Sequence, residues 1–290
     1  MDKYTYCENI IKESSATFYK AFSALDEDKA NAVYAVYAFC RTADDAIDVH
    51  DDIEKLNALE TGIRRVFDGD IPDDLMFQAL AETLKRFPNS IEPYLDLIDG
   101  MRDDFNKKPI ETDEDFDAYC YKAASTVGLM LIPILASEQY KADSNKLKEV
   151  AIELGKAMQI TNILRDVKED LINQRVYFPS KVLQAQNVNL ETLRTGIVTP
   201  EYKSMVEQYM TVAEEKYAYF YDHAGLFDED ARVQTVVASK FYEGILQEIR
   251  KASYNNLTKR HYVSKLRKRR LYKQALKDMK LKGILTWTIG

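Results

Sequence analysis

Histidine and cysteine are scarce in this chain, three of each among 290 residues. Cys7, Cys40 and Cys120 form an odd set without metal-site spacing, which argues against a zinc centre and for a reducing compartment. His50, His223 and His261 supply no Glu-x-x-His pair, so a di-iron bundle is excluded. No Gly-x-x-x-x-Gly-Lys loop is present, and ATP is an unfit ligand. Runs of alternating β-branched residues and Asn-Gly hairpins are missing as well, which leaves an all-α chain. Long hydrophobic runs are absent: Ala123 to Ser137, the longest stretch without a charge, contains Pro133 and stops short of the ~18 residues of a membrane span. The N-terminus carries acids and no apolar core segment, unlike a signal peptide. A cytoplasmic location is the expectation.

What is present is a soluble composition, 46% hydrophobic and 30% charged, with a net charge of −7. That balance argues against a general nucleic-acid binder, because phosphate neutralisation needs a basic surface. The charge is uneven: from Lys259 to Lys282 the charged residues are almost all basic, with Lys265, Arg267, Lys268, Arg269 and Arg270 crowded together. A solvated helix and an anion-facing or membrane-facing one fit this run equally.

Apolar spacing predicts helices near Asp52–Phe67, Asp74–Phe87, Ile91–Asn106, Glu201–His223, Asp230–Ala252 and Tyr262–Lys280, with a long one after Lys146. Asp26 is placed as an N-cap. Thr112 with Asp115 reads as a capping box, and Pro133 predicts a kink or stop. Small residues from Ala123 to Gly128 predict close approach of another helix or a bulky ligand. No repeat or low-complexity linker divides the pattern, and one helical domain over residues 1–290 is expected, with an apolar tail at 281–290.

Two stretches carry the chemistry. On one helix Gln159, Asn162, Asp166 and Asp170 fall on one face, and on another Tyr37, Arg41, Asp44 and Asp48 do the same. Placed face to face they would offer an oxygen-rich metal site. Most acid clusters are only solvated faces, since like charges a turn apart cost merely ~0.2–0.5 kcal/mol. Here Tyr34, Val36, Tyr37, Phe39 and Cys40 flank the acids, and burying an unpaired carboxylate among them would cost several kcal/mol, which a cation would offset. Asp and Asn oxygens without His or Cys suit a hard cation such as Mg²⁺ held jointly with substrate phosphates. Asp113, Asp115 and Asp117 hint at an EF-hand, but Ala118 and Ala124 stand where its Gly and Glu belong. Arg41 and Arg165, one beside each cluster, could reach diphosphate oxygens.

Asp44-Asp45-Ala46-Ile47-Asp48 and Asn162-Ile163-Leu164-Arg165-Asp166-Val167-Lys168-Glu169-Asp170 resemble the two aspartate-rich motifs of squalene and phytoene synthases. Tyr119-Cys120-Tyr121-Lys122-Ala123-Ala124-Ser125-Thr126-Val127-Gly128 is similar to that family's Tyr-Cys-Tyr-x-Val-Ala-Gly-Thr-Val-Gly segment, and Arg175-Val176-Tyr177-Phe178-Pro179 to another shared stretch. The resemblance runs from about Tyr4 to Arg270 and is strongest to the bacterial dehydrosqualene synthases. Ala123 and Ser125 replace the usual Val and Gly, which would narrow a hydrophobic tunnel. Thr17 replaces a frequent Ser and keeps its hydroxyl.

The resemblance implies a single-domain isoprenoid synthase fold, helices around a central cavity, and head-to-head condensation of two farnesyl diphosphates to dehydrosqualene through a presqualene-diphosphate-type intermediate. Phytoene synthase with C20 substrates, squalene synthase, and an inactive family member serving as scaffold are the alternatives. It implies Asp44, Asp48, Asn162, Asp166 and Asp170 as ligands of Mg²⁺, with Mn²⁺ as a substitute and no NADPH. Asp44, Asp48, Tyr119, Arg165, Asp166 and Asp170 would be catalytic. Ser15, Thr17, Phe18, Tyr37, Arg41, Tyr119, Gln159, Asn162, Tyr177, Tyr242 and Arg267 would bind substrate. Prenyl diphosphates are the expected partners, farnesyl favoured, with no nucleic acid; a peripheral membrane contact through the basic C-terminal region is the further expectation.

Overall fold

A computed structural model describes residues 1–142 and 144–284. Those residues form helices and, among them, no strand. In chain order come α1 (Lys3–Ser14), α2 (Ala16–Phe22), α3 (Glu27–Asp48), α4 (Ile53–Phe67), α5 (Leu75–Arg86) and α6 (Glu92–Phe105). Then follow α7 (Asp113–Cys120), α8 (Thr126–Leu135), α9 (Ser137–Ala142), α10 (Asn145–Ile172), α11 (Ser180–Ala185) and α12 (Leu190–Arg194). The last three are α13 (Pro200–His223), α14 (Glu229–Lys251) and α15 (Lys265–Leu281). A π-helical turn, Tyr121–Ser125, joins α7 to α8.

Local chemistry sets most of these limits. The Asp52 and Asp74 side chains each accept two backbone N–H groups at the starts of α4 and α5, filling donors a helix start leaves open. Thr112 and Asp115 form the reciprocal box that their spacing predicts. Asp26 holds the cap position of α3 but its side chain makes no capping bond; Glu27 and Asp28 in the first turn face the helix dipole instead. Pro133 neither stops α8 nor stands at its end, since the helix runs on to Leu135. The carbonyl that a proline here leaves without its helical donor is that of Leu129, and Asn89 Nδ2 donates to it at 3.0 Å.

The chain divides into two compact units, each assembled from three separate segments. The first comprises Met1–Lys108, Lys122–Ile152 and Gly225–Ala238; the second comprises Pro109–Tyr121, Glu153–Ala224 and Ser239–Gly290. In the first unit α1, α4, α5, α6 and α8 pack on α3, whose Val33, Ala35, Val36, Ala38 and Phe39 are buried. The small residues do allow close approach: a Cβ on Gly128 would lie 2.9 Å from the Ala151 carbonyl oxygen. Ser125 is fully buried and donates to the Ile152 carbonyl at 2.8 Å, so the serine that replaces the family's glycine is absorbed by a helix carbonyl.

Lys29 of the same unit bridges Asp228 at 2.9 Å and Asp230 at 2.8 Å. Burial alone would raise the Asp228 pKa, but hydrogen bonds from Ser137 and Lys29 outweigh it and the pKa is lowered. Lys29→Met keeps the side-chain length and strips both acids of their cation, and it is expected to cost about 2–4 kcal/mol in urea unfolding. A carboxyl whose folded pKa is depressed stabilises above its unfolded pKa and loses that contribution as pH falls through the folded one. The gap between wild type and variant therefore narrows in acid, and an equal midpoint at neutral pH would refute the assignment.

In the second unit α13 buries Tyr202, Met205, Val206, Tyr209, Met210, Ala213, Tyr217 and Phe220 at helical spacing. The buried tyrosine hydroxyls are all partnered: Tyr202 donates to Asn256 at 2.8 Å, Tyr209 donates to Asp113 at 2.9 Å, and Tyr217 shares a 3.0 Å bond with Thr161. The basic helix starts at Lys265, three residues later than its apolar pattern predicts, because Ser264 caps it. Leu285, Trp287 and Ile289 of the predicted tail lie outside the described residues.

One expectation is corrected by the continuity of α7, the π-turn and α8. By length and composition the stretch Asp113–Leu135 is long and apolar enough to cross a membrane, and half of its most apolar 18 residues are buried. The uncharged run alone ends at Lys122, whose ammonium pairs with Asp99 and, at 2.7 Å, with Asp103.

Candidate active site

The first acid motif closes α3. The Arg41 guanidinium reaches Asp44 Oδ2 at 3.1 Å through Nη1 and Asp45 Oδ2 at 3.0 Å through Nε, with a second, shorter bond to Asp45 through Nη2. Burial would lower the Arg41 pKa, but the Asp45 hydrogen bonds and the charges of Asp44 and Asp45 outweigh it and the pKa is raised. Tyr37 lies one turn earlier, its ring 6.5 Å from that of Phe18, which stacks on Phe22 at 5.9 Å. Ser15 ends α1 and caps α2 by accepting the Phe18 N–H at 3.4 Å. Burial pushes the neighbouring Cys40 thiol up to about 12, with the Asp44 charge adding to it, so this cysteine stays protonated.

The second motif lies on α10. Asn162 Nδ2 donates to Gln159 Oε1 at 3.2 Å. Arg165 Nε donates to Asp166 Oδ1 at 2.7 Å and its Nη2 pairs with the other oxygen. Burial would lower the Arg165 pKa, yet the Asp166 hydrogen bonds, Asp166's charge and Tyr242 hold it raised. Burial likewise raises the Tyr242 phenol, with Arg165 partly opposing, so that hydroxyl remains neutral. The Tyr119 and Tyr177 rings, from the other two recognised segments, stack at 4.7 Å.

Two residues of this motif's surroundings escape the sequence reading. Arg260 reaches Asp166 at 3.0 Å and Glu169 at 3.2 Å, a pairing that the sequence does not announce. Arg267, expected at the second diphosphate, sits in the first turn of α15, its backbone N–H on Ser264 Oγ at 3.3 Å. Asn256, fully buried, donates to the Leu164 carbonyl at 2.7 Å and accepts from Tyr202 at 2.8 Å. The partnership of Arg41 with Asp44 was legible from their shared helix face, whereas Asp45, which Arg41 also engages, lies off the face that the sequence picks out. Those of Arg260 and Asn256 join a loop to a helix far away in sequence, and spacing carries no sign of them.

No burial cost calls for a cation at Asp44, whose side chain is 42% exposed and already paired with Arg41. Among the described residues no three His, Cys, Asp or Glu side chains converge closely enough to enclose a metal ion; guanidinium groups engage Asp44, Asp45 and Asp166. Asn162 supplies a different indication. Of the four buried side-chain nitrogen or oxygen atoms without a hydrogen-bond partner among the described residues, two are Asn162 Oδ1 and Arg267 Nε. Leaving a buried acceptor unmade costs about 1–3 kcal/mol, and an amide oxygen in a row with carboxylates is a donor that a hard cation takes. The residues present fit Mg²⁺.

The architecture matches that of a dehydrosqualene synthase crystallised with a ligand, at a TM-score of 0.89 and 36% identity over 96% of this chain and 97% of that one. A squalene synthase from Alicyclobacillus acidocaldarius superposes at 0.79 with 25% identity, over 87% of this chain and 95% of that one. The fold is thus that of the all-α isoprenoid synthases. The sequence pattern of squalene/phytoene synthases spans residues 11–267, and the chain belongs to that family. The 4,4′-diapophytoene synthase of Staphylococcus haemolyticus is 36% identical over 96% of this chain and 98% of its own length. A chloroplastic phytoene synthase of Narcissus pseudonarcissus is 32% identical over 92% of this chain but 64% of its own.

Proposed function

We propose that the protein condenses two farnesyl diphosphates head to head, through a presqualene-diphosphate-type intermediate, to dehydrosqualene. The observation that carries this reading is the near end-to-end likeness to a 4,4′-diapophytoene synthase at 36% identity. Every acid of the two aspartate-rich motifs is present in this chain, and both tyrosine-bearing segments keep their tyrosines, which speaks against an inactive scaffold.

Ionisation of the first substrate releases diphosphate and leaves an allylic cation. The double bond of the second attacks it and loses a proton to give a cyclopropyl diphosphate. That intermediate ionises in turn, rearranges and loses another proton, so the balance is one C30 hydrocarbon, two diphosphates and two protons, with no reductant. Asp44, Asp48, Asn162, Asp166 and Asp170 would hold Mg²⁺, or Mn²⁺ in its place, which when bound neutralises charge developing on the departing diphosphate. Arg41, Arg165 and Arg260, which hold Asp44 and Asp166, would donate to phosphate oxygens of the bound substrate. Ser15, Thr17 and the unpartnered Nε of Arg267 serve the second diphosphate. Phe18, Tyr37, Tyr119, Tyr177 and the neutral Tyr242 present aromatic faces, each contributing roughly 0.5–2 kcal/mol to a nearby cation. Closure against water protects that cation from capture.

Incubation of the purified protein with farnesyl or geranylgeranyl diphosphate and Mg²⁺, with and without NADPH, followed by hydrocarbon extraction, tests the proposal. A C30 product that is independent of NADPH is the expected result. A C40 product would reassign the chain as a phytoene synthase, and a product formed only with NADPH as a squalene synthase.

A further inference from the structure

The outward side of α15 takes no part in the chemistry above. Leu266, Arg269, Arg270, Lys273, Lys277, Lys280 and Leu281 recur every three or four residues and are all exposed, which places them on one face of the helix. Ala275 and Met279 on the opposite face are buried, and Leu271 packs against Gly244 of α14. The helix is therefore held by one side only. Its free side carries five cations, no acid, and a leucine at each end, 60% exposed at Leu266 and 77% at Leu281. Tyr262, just before the helix, is 75% exposed. Lys265 to Lys282 holds nine basic residues and one acid in a chain whose net charge is −7.

We propose that this face docks the protein on an anionic lipid surface. The charge arrangement fits such a partner: a basic patch on an acidic body is drawn to negative headgroups while the remaining surface is repelled, which orients as well as attracts. The exposed leucines and tyrosine decide between lipid and nucleic acid. Phosphate contacts alone leave those apolar side chains in water, whereas an interfacial helix buries them at the acyl boundary. Docking at this face is separate from catalysis, and it can be scored with no substrate present.

Co-sedimentation of the full chain with vesicles of phosphatidylcholine, with and without phosphatidylglycerol, tests the proposal. Binding is expected on the anionic vesicles at about 50 mM salt and is lost at about 500 mM, where charges are screened within a few ångströms. The triple variant Arg270→Glu, Lys273→Glu, Lys277→Glu should bind at least about tenfold more weakly. A second variant, Leu266→Ser with Leu281→Ser, keeps every charge and should also weaken binding while retaining the salt dependence. Circular dichroism checks that both variants stay folded. No binding to anionic vesicles, equal binding to neutral ones, unaltered binding by both folded variants, or tighter retention on a mixed-sequence RNA than on the vesicles would overturn it.

Discussion

Asp166→Asn should lower turnover of farnesyl diphosphate by about 10³-fold, the scale on which a single buried electrostatic partner of a developing charge acts. Asp166 is the hub of its motif: Arg165 holds it through two bonds and Arg260 reaches it at 3.0 Å. An amide of the same shape keeps one acceptor oxygen and turns an NH₂ toward guanidinium groups, so the pair of arginines gains an unbalanced positive charge. That imbalance is local and partly hydrated, because the Arg260 side chain is 51% exposed. A stability loss of about 1–2 kcal/mol follows from it, against roughly 4 kcal/mol of lost transition-state stabilisation implied by the rate.

The two magnitudes separate a chemical role from a structural one. Thermal unfolding and helical circular dichroism should change little, while turnover collapses and Mg²⁺ binding, followed by calorimetry on the substrate-free protein, weakens. If turnover falls only as far as the folded fraction does, and the Mg²⁺ isotherm is unaltered, Asp166 is a salt-bridge acceptor and nothing more. The same logic extends to Asp44, whose exposure and pairing with Arg41 make its fold contribution smaller still.

Helix positions were legible because their signals are local. The caps at Asp52, Asp74 and Thr112 and the apolar spacing of α4, α5 and α6 bring predicted and observed limits within a residue or so. Within each motif the face is legible too, since helical spacing places Arg41 within a turn of Asp44 and Gln159 within a turn of Asn162. What is not legible is any partnership that the fold makes across sequence. Nothing around Asn89 announces that it relieves Pro133, and the basic run hides Arg260, which pairs with Asp166, behind the more conspicuous cluster at Arg267 to Arg270. The π-turn at Tyr121–Ser125 is invisible for another reason: one extra residue in a helix changes no composition or capping signal, and such turns depend on packing rather than propensity.

Asn256 makes the most consequential of these unannounced contacts. Its amide, fully buried, ties the loop after α14 to the Leu164 carbonyl one residue before Arg165, and holds the Tyr202 hydroxyl on its other side. Tyr202 is itself fully buried, and burial drives its phenol pKa upward, with Asn256 pulling the other way. Asn256→Leu has nearly the right volume and none of the hydrogen bonds, so the hydroxyl is stranded in an apolar core. The expected loss is about 2–4 kcal/mol, read as a fall of roughly 5–10 °C in the unfolding midpoint. Tyr202→Phe removes the stranded group, and the double variant should recover part of that loss, giving a coupling of about 1 kcal/mol or more. Strict additivity would mean the pair is not energetically joined. Because the same loop carries Arg260 to Asp166, the Leu variant should also raise KM for the diphosphate substrate at temperatures where it remains folded, an effect that Tyr202→Phe alone, leaving Asn256 on Leu164, should not reproduce.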